Sequence, residues 1–166
     1  DFEGVIGGVS LKNYAELNMD DPFVQFHMAW KYRVGDGVKQ SDETAAVWYR
    51  FAVNQGYAPA QHNLGTMYLN GLGVAKDFRK AEKLIRLASE QGYVHAQAKL
   101  SVFYIQGVGV PKSYIYAFMW ATLAKKNGHA TIGRMPELIA ERMTSAQLAK
   151  AQKLVHQCLD RKYKGC

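Results

Sequence analysis

The chain has 166 residues, 48% of them hydrophobic and 21% charged, enough apolar material to bury a core without metal or a dense set of disulfides. No run of about 18 apolar residues occurs, which excludes a membrane-spanning helix. The net charge of +7 is unevenly placed, with five Lys/Arg and eight Asp/Glu in residues 1–75 against 16 and six in residues 76–166. The basic residues scatter over helix-compatible positions as a solvated face. Nucleic-acid binding, which would need a recognition motif or aromatics interleaved with the cations, is therefore the weakest functional reading.

The first residue is Asp1, and nothing before Leu11 resembles a charged leader followed by an apolar block, so any leader is expected to have been removed or left out. Residues 1–21 read as an N-terminal capping segment. Ser10 followed by Leu11, Tyr14, Ala15 and Leu17 suits a short amphipathic helix over residues 10–19. Asp21-Pro22 then places an N-cap before a proline at the first helical position.

From residue 22 the sequence repeats with a period of 36 residues, and eight columns are identical in all three copies. They are Gln25/Gln61/Gln97, Tyr32/Tyr68/Tyr104, Gly35/Gly71/Gly107, Gly37/Gly73/Gly109, Val38/Val74/Val110, Ala45/Ala81/Ala117, Ala52/Ala88/Ala124 and Gly56/Gly92/Gly128. The copies span residues 22–57, 58–93 and 94–129. In each, a first helix carries apolar residues four apart, such as Ala60, Leu64 and Tyr68. Ala29, Gly65 and Ser101 are small enough beside that stripe to let a neighbouring helix approach. A Gly-x-Gly turn ends the first helix. Ser41, Asp77 and Ser113 are N-caps of the second helix, whose inward stripe is Ala45, Trp48 and Ala52 and its equivalents. No strand precedes the Gly-x-Gly, which recurs three times, so it is a chain reversal and not a phosphate loop.

The pattern A-x-x-x-L-G-x-x-Y-x-x-G-x-G-V, then D-x-x-K-A and A-x-x-x-G, resembles that of Sel1-like repeats, relatives of the tetratricopeptide repeat. The second copy, running from Ala60 to Val74 and on through Asp77, Lys80, Ala81 and Ala88, carries the resemblance best. The first departs from it at Met28, Ala29 and Asp36, and the third at Ser101 and Ser113. The resemblance implies an all-α, right-handed α/α solenoid with capping helices at both ends.

Residues 130–166 form the C-terminal cap. Pro136 breaks the repeat, residues 137–143 are expected to form a short helix, and Thr144 to Gln147 is a capping-box signature heading a long helix that ends near Asp160. Cys158 and Cys166 are eight apart, outside the spacing of zinc or CxxC redox sites. Cys158 falls in the last helical turn and the polar tail lets Cys166 fold back to it, so a disulfide staple and a pair of free thiols are both open. Exported bacterial proteins of this type often carry two cysteines in the tail; that resemblance favours the staple and a periplasmic or secreted location, whereas free thiols would go with the cytoplasm.

The five histidines form no HExxH, Cys/His set or i, i+4 ligand pair, and there is no nucleophile elbow. No catalytic residue, metal or cofactor is expected, and the oligomeric state is not legible. In tetratricopeptide-like stacks the concave wall is lined by the first helix of each hairpin. By the 36-residue shift this wall comprises Phe23, Phe26, Trp30 and Arg33, then His62, Thr66, Leu69 and Asn70 with Pro59, then His95, Val102 and Ile105 with Ala98 and Gln106. Its apolar content marks either a partner site or a surface covered by the N-terminal segment. The function expected is that of a cell-envelope adaptor holding a protein or peptide in this groove, as an assembly accessory or an immunity protein. The alternative is an enzyme or small-ligand receptor acting on cell-wall material.

Overall fold

The structure, a computed structural model, describes residues 18–166 and, before them, the backbone of Val5–Ile6 and Val9–Ser10. Those four residues pair as a small antiparallel hairpin, β1 (Val5–Ile6) with β2 (Val9–Ser10). The capping helix expected over residues 10–19 begins on strand residue Ser10 and otherwise falls mainly on residues 11–17, outside the described residues. Met19 and Asp20 form a turn. Asp21 then caps the first helix, its Oδ1 accepting from the Phe23 N–H at 2.7 Å.

Three helical hairpins follow: α1 (Pro22–Val34) with α2 (Asp42–Asn54), α3 (Ala58–Asn70) with α4 (Phe78–Glu90), and α5 (Val94–Gln106) with α6 (Tyr114–Lys126). Each of these helices packs on its sequence neighbours, and α7 (Met135–Ala140) and α8 (Ser145–Asp160) both close on α6. The result is an α/α solenoid, a stack in which each unit buries its face against the next.

The turns inside the hairpins are built alike. Gly71 ends α3 in the left-handed region at φ 71°, its N–H and that of Leu72 donating to the Met67 carbonyl at 2.8 and 3.1 Å. Asp77 N–H returns to the Tyr68 carbonyl at 2.9 Å, and the Asp77 carboxylate receives the Arg79 and Lys80 N–H groups. A β-branched residue is strained at this φ, so Gly71→Val is expected to lower the unfolding free energy by more than about 1 kcal/mol in a denaturant titration. An unchanged midpoint would remove the left-handed turn as its cause.

The second glycine of each Gly-x-Gly has a different use. A Cβ on Gly73 would lie 2.2 Å from the Asp42 carbonyl carbon, and one on Gly109 would lie 2.5 Å from the Phe78 carbonyl oxygen. Both glycines press against the first turn of the preceding hairpin's second helix, so they set the distance between units. At Gly37 a Cβ would come no closer than 3.9 Å to any described group, the Lys31 Nζ. Within the hairpins, Gly65 lies so close to α4 that a Cβ would meet Ile85 Cγ1 at 3.0 Å, and Ser101 is accommodated by donating to the Ala117 carbonyl at 2.8 Å.

The repeated glutamine joins the two helices of each hairpin. Gln25, Gln61 and Gln97 each accept, through Oε1, from the amide at the end of their hairpin's second helix: Gln55 at 3.0 Å, Gln91 at 2.8 Å and Asn127 at 2.9 Å. Gln97 is fully buried, where an unpartnered amide would be costly.

The C-terminal cap ends this ladder. Tyr163 donates from its hydroxyl to Asn127 Oδ1 at 2.8 Å, and its ring lies over Gly92. Thr144 and Gln147 exchange both hydrogen bonds of a capping box at the head of α8. The short helix is α7, starting and ending slightly earlier than residues 137–143, because Pro136 occupies its first turn and is buried. Cys158 and Cys166 form a disulfide with Cα atoms 5.8 Å apart, holding the tail against the buried Met119, whose Sδ is 3.6 Å from Cys158 Sγ. Closing so short a loop contributes about 2–3 kcal/mol by the loop-entropy relation. The Cys158→Ser, Cys166→Ser double variant is expected to lose stability of that order with its helical signal retained. An unaltered stability would show that the tail holds without the bond.

Candidate interaction groove

One face of the stack is formed by α1, α3 and α5. Phe23 and Phe26 of α1 stand among rings: Phe23 lies 4.5 Å from His27, and Phe26 lies 5.5 Å from Tyr57 and 5.6 Å from Tyr49 between centroids. Trp30, a turn further on, is 39% exposed. Arg33 lies 3.9 Å from the Asp42 carboxylate, which offsets part of its charge. Tyr49 reaches this face from α2, its hydroxyl accepting from Asn63 Nδ2 at 3.0 Å.

The middle and far parts of the face differ from the first. His62 of α3 is followed by a second ring series, with Tyr93 at 5.5 Å, His95 at 6.3 Å, and His129 at 5.1 Å from His95. His62, His95, Lys99 and Val102 line a hollow of about 300 Å³ with His129, Thr131, Ile132 and Met135 of the segment after α6. Leu69 and Ile105 are half-buried against the core, Thr66 spends its hydroxyl on the His62 carbonyl at 3.0 Å, and Asn70 and Gln106 are exposed. Of the residues anticipated for the wall, Phe23 and Phe26 come together in one ring cluster, and His62, His95, Ala98 and Val102 in the hollow. Tyr57, Tyr93, Lys99 and His129 were missed. Tyr57, Tyr93 and His129 share one column of the 36-residue shift, directly after the helix-ending glycine, and that was the available signal.

Burial, with repulsion from Lys99 and His95, holds the His62 pKa down at about 4, and burial also lowers those of His27 and His129. These imidazoles are neutral at pH 7. The unfolded chain takes up protons near pH 6.5 that folded His62 refuses until about pH 4, so stability is complete above pH 6.5 and falls as the pH drops between those values. For this one group the slope is at most about 1.4 kcal/mol per pH unit. His62→Gln is expected to flatten the acid limb of a stability-versus-pH curve; an unchanged limb would assign it to other groups.

A second hollow, of about 440 Å³, lies between α6, α7 and α8 and is lined by Phe118, Pro136, Leu148 and the Lys125–Glu137 ion pair (2.6 Å) among others. No group of three or more His, Cys, Asp or Glu side chains is placed to hold a metal ion among the described residues. No described helix is long and apolar enough to cross a membrane.

The Sel1 repeat family model matches residues 22–57, 58–93 and 94–129. The chain belongs to the Sel1 repeat family. Its fold is similar to that of a protective antigen of uropathogenic Escherichia coli strains displaying an SLR fold, with a TM-score of 0.79 and 31% identity over 86% of this chain. The chain spans 31% of that antigen's length. It is also similar to a Sel1 repeat protein from Oxalobacter formigenes, with a TM-score of 0.71 and 26% identity, covering 88% of this chain and 67% of the other. No curated protein matches the sequence. Sel1 repeats are in general protein-interaction modules and typically non-catalytic scaffolds.

Proposed function

We propose that the chain is an adaptor of the bacterial cell envelope that holds a protein or peptide segment along the face of α1, α3 and α5. One observation supports this above others. Large apolar side chains, the exposed Trp30 and the half-buried Phe23, Phe26, Leu69, Val102 and Ile105, share one row of helices. Such rows bind through a few aromatic or Arg anchors, here Trp30 and Arg33, with Phe26, Leu69 and Ile105 as the floor. The disulfide supports an oxidising compartment, because such bonds persist there and are rare in the cytosol.

The test is a selection of peptides from a random displayed library on the folded chain, repeated with the Trp30→Ala, Leu69→Ala double variant. Selected peptides should lose roughly thirtyfold or more in affinity, a loss of about 2 kcal/mol, with helicity and cooperative unfolding retained. Peptides binding both proteins equally would move the interface to the basic C-terminal half, around Lys125, Lys126, Arg134 and Arg142. Collapse of the variant would make Trp30 a packing residue.

The hollow between α6, α7 and α8 favours a second reading, a receptor for a small ligand, since its size is that of ordinary ligand pockets. Muropeptides and β-lactams are the probes for it, and silence with both would end that reading.

A further inference from the structure

We infer that the hollow between α3, α5 and the segment after α6 receives an aspartate or glutamate side chain of the peptide bound along the groove, with Lys99 as its counter-ion. This rests on the groove reading and adds to it the chemistry of the partner.

Four observations carry the inference. Among the described residues, none that lines the hollow is acidic. Lys99 has no carboxylate within 4 Å among the described residues, whereas Lys80, Arg86 and Lys125 each have one. His62 Nδ1 is buried with no hydrogen-bond partner among the described residues, and His95 and His129 bring two more imidazoles to the same rim. Ala98, Val102, Ile132 and Met135 give the hollow an apolar floor.

These features fit a carboxylate. One ammonium supplies a single positive charge, and imidazoles can present N–H donors through either ring nitrogen. Once the bound peptide covers the apolar floor, water is displaced and a charge-assisted hydrogen bond there is stronger than at an open surface. No Arg lines the hollow to offer the paired donors that suit a phosphate dianion. A volume of about 300 Å³ takes one or two side chains, so the acidic residue enters with an apolar neighbour covering the floor. A partner carrying an acidic residue beside an apolar one is the match.

The experiment uses the peptides selected on the full chain. Enriched sequences are expected to share an Asp or Glu next to an apolar residue. Replacing that Glu by Gln in one peptide should weaken binding about tenfold or more. Lys99→Gln should erase the difference between the Glu and Gln peptides, and Lys99→Glu should select Lys or Arg at the same peptide position. Should Lys99→Gln not fold, His95→Gln, at an exposed position, is expected to reduce the Glu/Gln discrimination in its place. Peptides that depend on Trp30 but show no acidic preference, or keep their Glu/Gln ratio with Lys99→Gln, would overturn this inference and leave the groove reading standing. Failure to select any peptide dependent on Trp30 and Leu69 would overturn both.

Discussion

Gly73→Ala is expected to cost about 2–5 kcal/mol in unfolding free energy, against about 1–2 kcal/mol for Gly37→Ala, although both residues occupy the same column of the repeat. Both have positive φ, 62° and 70°, so each alanine bears the strain of a left-handed L-residue, roughly 1–2 kcal/mol. The difference lies in what the new methyl meets. At Gly73 it would lie 2.2 Å from backbone of Asp42, which no rotamer change can relieve, while at Gly37 the nearest described atom is the end of a flexible lysine at 3.9 Å. Relief at Gly73 needs the second hairpin to move off the first, adding the roughly 1–3 kcal/mol of an overpacked contact. Denaturant unfolding of the two variants measures the contrast. Equal losses would mean that the repeated glycine serves its own turn alone and does not set the spacing of the stack.

Trp120→Ala is expected to cost about 3–5 kcal/mol, the range for deleting a buried Trp, and Trp48→Ala roughly half of that or less. The two tryptophans are again equivalent in the repeat. Trp120 is fully buried in a cluster with Ile132, Ile139, Val155 and Cys158 of the C-terminal cap. Trp48 is half-buried and keeps one side toward Phe51, 5.8 Å away between centroids. Trp120 Nε1 has no hydrogen-bond partner among the described residues, so Trp120→Phe, which removes that donor and keeps most of the ring, should cost much less than Trp120→Ala. Similar losses for Trp48→Ala and Trp120→Ala would show that α7 and α8 do not seal the end of the stack.

Much of the architecture is legible in the sequence, because repetition puts the same local chemistry in the chain three times. The glycines that end α1, α3 and α5, the caps Ser41, Asp77 and Ser113, and the capping box at Thr144 act within a few residues of themselves. Their effect does not depend on distant packing. The small positions Ala29, Gly65 and Ser101 are readable for the same reason, since a helix hairpin needs close approach wherever it occurs.

The groove is only partly legible. Periodicity places Phe23, Trp30, His62 and Val102 on one side of their helices, but it says nothing about the residues that reach that side from turns. Tyr57, Tyr93 and His129 come from the bends between hairpins, where no helical period applies, and Lys99 resembles one more solvated cation among 21 Lys and Arg. Only packing reveals that it borders a hollow to which no described residue brings a carboxylate.

Local sequence thus determined the helices, their caps, their turns and the 36-residue unit, and with them the family, because those features depend on backbone propensities and contacts along one chain segment. The tertiary structure decided what equivalent residues become. Gly73 is a contact between layers whereas Gly37 meets no backbone of the described residues, Trp120 is core and Trp48 is half-exposed, and Gln97 is sealed under Asn127 and Tyr163. A repeat sequence holds identical letters in each unit, but a stack has two ends and an interior, and burial depends on which neighbour is present.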